Sequence, residues 1–161
     1  MLDVIKAASY IFKRYKEQEN QIIDEMKLHK MLYFAQRECF IQMDSPMFAD
    51  QFEAWRYGPV MVRIRERYQT DTLNEDMSSK ELETYQNVFD KVFESYSKED
   101  SWSLSLLTHG ETSWKKARRG VPPEANCNNL METSDIRKDA ERIKLRRFYF
   151  SEILPSLHEN N

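Results

Sequence analysis

The sequence predicts a mostly α-helical, compact multi-helix domain with one short two-stranded β element, at about residues 47–57. Apolar residues recur at helical spacing along most of the 161-residue chain. Three glycines and five prolines are too few for the many tight turns of a β protein. The stretch at residues 47–57 breaks the helical stripe and is aromatic, as short strands are.

The elements follow in order. Val4, Ile5, Ala8, Ile11, Phe12 and Tyr15 fall on one stripe of a first helix, Leu2 to Glu17. Asp24 suits the N-cap of a second helix, Glu25 to Gln42. Leu28, Met31, Leu32, Ala35 and Cys39 form its main stripe, and Tyr33, Phe34 and Phe40 make it apolar around its girth, which predicts a central position. Ser45-Pro46 is a turn. Phe48, Phe52 and Ala54-Trp55-Arg56-Tyr57 read as two short strands turning near Asp50. Gly58-Pro59 then opens a third helix to Tyr68 that buries Val60, Ile64 and Tyr68.

Ser78 and Glu81 fit a capping box opening a helix to Tyr96. Asp100 or Ser101 caps a short helix through Leu107. A second short helix, Glu111 to Arg119, surrounds Trp114, and Gly120 stops it. Val121 to Thr133 is a loop, with Pro122-Pro123 and Asn128-Asn129. Ser134 caps a last helix to Leu154 with Ile136, Ala140, Ile143 and Phe150 inward, and Pro155 ends it. This organisation reads as a single domain over residues 1–155 and a frayed tail over 156–161.

Composition narrows the function. The longest strictly apolar run, Met31 to Ala35, is far short of the roughly 20 residues of a membrane span. Asp3 and Lys6 interrupt the first apolar stretch, so no signal peptide is read there. Cys39 and Cys127 lie far apart and read as reduced thiols, which fits a cytoplasmic protein. The net charge of −3 disfavours a generally basic nucleic-acid binder.

Catalytic signatures are missing: there is no P-loop, GxGxxG, HExxH or GxSxG. His109-Gly110-Glu111 offers two metal ligands without a third, so no metal and no cofactor are expected. The plainer reading puts His109 at one helix end and Glu111 at the next helix start, where charge suits the dipoles. His29 reads as packed or solvated. Cys39 falls on a buried stripe, where a thiol is inert. No enzyme is expected.

Charge is segregated. Residues 71–100 hold nine acids against three lysines. Basic side chains gather at Arg56, Arg63, Arg65 and Arg67, at Lys115, Lys116, Arg118 and Arg119, and along the last helix from Arg137 to Arg147. Such segregation steers charged partners, although amphipathic helices also simply have charged outer faces. Arg56, Arg63, Arg67, Trp114, Lys115, Arg118 and Arg119 are the candidate partner-binding residues, through ion pairs and cation–π contacts.

Lys27-Leu28-His29-Lys30-Met31-Leu32-Tyr33-Phe34-Ala35-Gln36, Phe52 to Val60, and Leu104 to Arg118 together resemble the Panacea domain. That family includes GepA-like phage-associated proteins and SocA-like antitoxins. The resemblance covers nearly the whole chain. It departs at His29, where glutamine is common, and in the Val121–Thr133 loop. It implies a non-enzymatic cytosolic protein of a bacterium or prophage. Members act as antitoxins that bind a toxin encoded next door, and one kind is an adaptor delivering its toxin to a AAA+ protease. The resemblance makes Leu28, Leu32, Tyr33, Trp55, Tyr57, Gly58, Pro59 and Val60 architectural, with Tyr57-Gly58-Pro59 as a strand-to-helix turn. The rival to an antitoxin or adaptor is a DNA-binding autoregulator, for which no helix-turn-helix pattern is seen.

Overall fold

The computed structural model describes residues 1–159. The chain runs α1 (Val4–Glu19), α2 (Glu25–Met43), β1 (Glu53–Trp55), β2 (Gly58–Val60), α3 (Val62–Gln69), α4 (Ser79–Tyr96), α5 (Ser101–His109), α6 (Thr112–Ala117) and α7 (Thr133–Phe148). A π-helical turn (Tyr149–Ile153) and α8 (Leu154–Glu159) follow. The fold is mostly α, with one two-stranded antiparallel sheet among the described residues.

Helix starts follow side-chain chemistry. Asp3 accepts from Ile5 N, Asp24 from Lys27 N, and Asp100 from Ser103 N. Ser78 and Glu81 close the expected capping box at α4. α2 is the axis, packed by α1, α4, α5, α7 and β2. It buries Leu28, Met31, Leu32, Tyr33, Phe34 and Ala35 completely or nearly so. Surrounded on all sides, it also buries Lys27, His29, Lys30, Gln36, Arg37 and Glu38. Each of these polar groups needs an internal partner. Lys27 Nζ donates to the Ser97 and Glu99 carbonyls at 2.7 and 2.6 Å. The Gln36 amide bridges Met47 N and the Phe48 carbonyl.

The hairpin differs from the sequence expectation. It turns at Arg56-Tyr57, not near Asp50: Glu53 pairs with Val60, Ala54 with Pro59 and Trp55 with Gly58. Arg56 and Tyr57 keep negative φ, and Gly58, at φ +112°, supplies the positive angle such a tight connection needs. Pro59 and Val60 therefore lie in β2, not in a helix, and α3 begins at Val62. Pro59 fits because β2 is an edge strand of a short two-stranded ribbon. A Cβ on Gly58 would sit 2.5 Å from Thr108 Oγ1 and 2.6 Å from Lys30 Cε.

The 121–130 loop lies along β1. Ala54 N donates to Asn129 O, and Met131 N to Phe52 O. Arg118 holds the loop down, its guanidinium donating to the carbonyls of Ala54, Pro122 and Ala125.

The C-terminal helix also differs. Pro155 does not end it. A π-helical turn, closed by Leu154 N donating to Tyr149 O, precedes the proline and accommodates its missing N–H. Phe150 was expected in the core and is 53% exposed. It faces an open groove with Tyr96, Ile143 and Arg146, because the helix runs on past the bundle. Ser156 to Glu159 are helical, while Asn160 and Asn161 of the expected tail lie outside the described residues.

Candidate functional site

Between α2, the hairpin and α3 lies a partly open cavity of about 260 Å³, lined by Glu25, His29, Lys30, Trp55, Arg56, Tyr57 and Arg65 among others. The hairpin presents Trp55 and Tyr57 half-buried or exposed, while Gly58 brings the strand against Lys30. Lys30 Nζ donates to the Pro59 carbonyl at 3.2 Å. Met61 N donates to His29 Nδ1 at 3.3 Å. Adjacent residues of α2 thus hold the same short stretch of chain.

Both groups are electrostatically unusual. Burial pulls the Lys30 ammonium down to about 7, and Asp24 and Glu25 only partly oppose it. Burial also lowers the His29 pKa. His29 Nε2 lies 3.5 Å from Glu25 Oε1, too poorly placed for a hydrogen bond, and has no other partner among the described residues. Glu25 is committed to Arg65 at 2.7 Å. Sequence reasoning read His29 only as packed or solvated and passed over Lys30. The available signal was a lysine and a histidine inside a helix apolar around its girth.

A second cluster is largely interior, with only Arg142 reaching it from the surface. Arg37 pairs with Glu111 at 2.5 Å and donates to Tyr96 Oη at 2.6 Å. Tyr33 Oη meets Glu111 and Ser113. Asp139, from α7, accepts from Thr112 N and Ser113 N at 2.9 Å each and so caps α6 from outside. Burial raises the Glu111 pKa against the pull of Arg37. Two arginines (Arg37 and Arg142) and two acids balance here, and every acid oxygen faces a donor. The cluster locks α2, α6 and α7 together. Glu111 faces this cluster and His109 stacks on Trp114, with centroids 4.2 Å apart. Among the described residues no three His, Cys, Asp or Glu side chains converge to hold a metal ion. Burial pushes the Cys39 thiol up to about 12.

The candidate partner-binding residues fall into two groups: Trp114 and Arg118 gather against the hairpin that carries Arg56, with Lys115 and Arg119 next to them in the chain, while Arg63 and Arg67 sit on α3. Arg63 pairs with Asp3 and Asp50, and Arg67 with Glu75. Arg56 lies over the Tyr57 ring at the cavity mouth. Trp114 is half-buried and donates to the Trp55 carbonyl. Arg118 is 5% exposed and holds the loop, so it offers little to a partner. Lys115 and Arg119 are exposed on and just after α6.

The largest exposed apolar run lies elsewhere. Leu145, Phe148, Tyr149, Phe150 and Ile153 are all exposed on the projecting C-terminal segment. Arg142 and Arg147 tie its base to Glu111 and Glu38. Among the described residues no helix is long and apolar enough to cross a membrane.

No curated protein and no solved structure matches the chain. The family model described as antitoxin SocA-like, Panacea domain, matches residues 28–115. The matched span opens on α2, takes in the hairpin with Trp55, Tyr57, Gly58, Pro59 and Val60, and closes in α6. With more than half of its length covered, from the axial helix through the cavity to Trp114, this chain belongs to the antitoxin SocA-like Panacea domain family.

Proposed function

We propose that this protein is a non-enzymatic antitoxin that acts in the cytoplasm and neutralises a cognate toxin by direct contact. Family membership supports the class of function. The observation that carries the mode of action is the apolar run on the projecting segment. Five large apolar side chains, each at least 39% exposed, stand within nine residues. Together they form a patch on the order of several hundred Å², the scale of a protein contact site. Lys144 and Arg146 flank it, which favours an acidic rim on the toxin. Arg56, Lys115 and Arg119 remain contact candidates at a distance from this patch.

The test is co-expression with the product of the neighbouring gene. Wild-type protein restores growth. The double variant Leu145→Glu/Phe148→Glu, with an unchanged melting temperature, fails to do so. Persistent rescue by that variant removes the surface assignment, and a non-toxic neighbour removes the antitoxin reading. Toxin half-life separates occlusion from delivery to a AAA+ protease: it stays constant under occlusion and shortens under delivery. Autoregulation through DNA is disfavoured, because the basic side chains largely bridge back to acids of the bundle.

A further inference from the structure

The cavity between α2 and the hairpin holds an incomplete set of hydrogen bonds. The Lys30 ammonium has three protons to donate and one acceptor, the Pro59 carbonyl. His29 accepts on Nδ1, which places its proton on Nε2, and the nearest acceptor to Nε2 is Glu25 Oε1 at 3.5 Å, too poorly placed for a well-formed hydrogen bond. Both side chains are 1% exposed, and both line the same cavity. Buried donors without acceptors are rare and costly in folded proteins. The group that would satisfy both is a planar anion with two acceptor atoms.

We infer that this cavity binds a carboxylate carried on a small flat or apolar body, one oxygen accepting from Lys30 Nζ and the other from His29 Nε2. The Trp55 and Tyr57 rings supply the apolar wall, and the Arg56 guanidinium adds positive charge at the mouth. Glu25 also lines the cavity, 3.5 Å from His29 Nε2 and paired with Arg65 at 2.7 Å. It sets a limit on ligand charge, so a monoanion fits better than a phosphate dianion. At about 260 Å³ the cavity lies below the roughly 300–1,000 Å³ of drug-sized sites. It therefore suits a small free carboxylate or a single acidic side chain of another protein. The inference does not depend on the antitoxin reading.

The probe is benzoate, titrated into the full chain and followed by calorimetry and tryptophan fluorescence. Benzamide, of the same shape without the charge, and inorganic phosphate are the comparisons. Saturable benzoate binding is expected, at least about tenfold tighter than either. It weakens at least about tenfold in Lys30→Met and is unchanged in Lys91→Met, a surface control. A mutation-free measurement stands beside it. The charged groups facing Lys30 are Asp24, Glu25 and His29 of α2, Arg65 of α3, His109 of α5 and Arg56 of the hairpin. Burial lowers both histidines, so in alkaline solution Lys30 is the group that changes charge. Benzoate affinity should fall at least about tenfold from about pH 7.5 to about pH 9.5. Acetyl-Ala-Glu-Ala-amide separates the sources. Tighter binding than benzoate identifies an acidic protein side chain, and weaker binding a free carboxylate. No saturation by either probe at about 20 mM, equal affinity in Lys30→Met, or a flat pH profile overturns the inference.

Discussion

Lys30 shows how a single residue type acquires meaning from its surroundings. In the sequence it is one of two lysines on a helix apolar around its girth. In the fold it is 1% exposed and its ammonium is pulled down to about 7. Between that value and the ordinary lysine value of 10.5, the unfolded chain holds a proton that the folded chain lacks. Lys30 therefore makes stability rise with pH across this window and fall as pH drops back through it. The slope is at most about 1.4 kcal/mol per pH unit. Lys30→Met removes the titrating group while keeping the aliphatic stem. It should be more stable than wild type at neutral pH, with the difference shrinking as pH rises. Urea denaturation of both proteins at several pH values measures this, and a constant difference would contradict it. What was hidden in the sequence was not the lysine but its enclosure, which depends on α1, α4, α5, α7 and the hairpin all closing on α2.

Elements divide into those the sequence states and those it conceals. α2 and α4 were legible because a capping side chain and a 3.6-residue stripe agree at each, α1 from its stripe alone and α5 from its cap alone. The hairpin was legible in kind but not in position. Gly58-Pro59 suits a helix start as well as a turn, and only pairing with β1 decides between them. The Val121–Thr133 loop was legible as a loop, while its seat on β1 depends on Arg118, sixty-four residues from Ala54 in the chain. α6 is the least self-sufficient element. It has six residues and no side-chain cap of its own, and it takes its cap from Asp139 of α7. Asp139→Ala leaves two backbone N–H groups of α6 without acceptors and unbalances the charge around Arg37 and Arg142. A loss of about 2–4 kcal/mol is expected, read by thermal or urea unfolding. A loss below about 0.5 kcal/mol would mean that water or Glu111 replaces the cap.

At the scale of the whole molecule, the architecture separates a locked body from a projecting arm. Buried polar clusters and a continuous core bind α1 through α7 together. Beyond Ile143 the chain continues as helix, but its large side chains face outward, and α8 runs straight on from the π-helical turn. Few buried contacts mean low local stability, so this arm opens before the body does. Limited trypsin treatment should cut first after Lys144, Arg146 or Arg147, releasing a C-terminal fragment identifiable by mass, while the body stays whole. The Arg142–Glu111 pair anchors the arm's base, so the arm frays from its far end, through the partly exposed Arg147–Glu38 pair, back to that point. A bound toxin covering Leu145, Phe148 and Tyr149 would slow those cuts. If the arm is cut equally fast with and without the toxin, the contact lies elsewhere on the body. The exposed lysine and arginine of α6 and its C-terminal end, Lys115 and Arg119, then become the next surface to test.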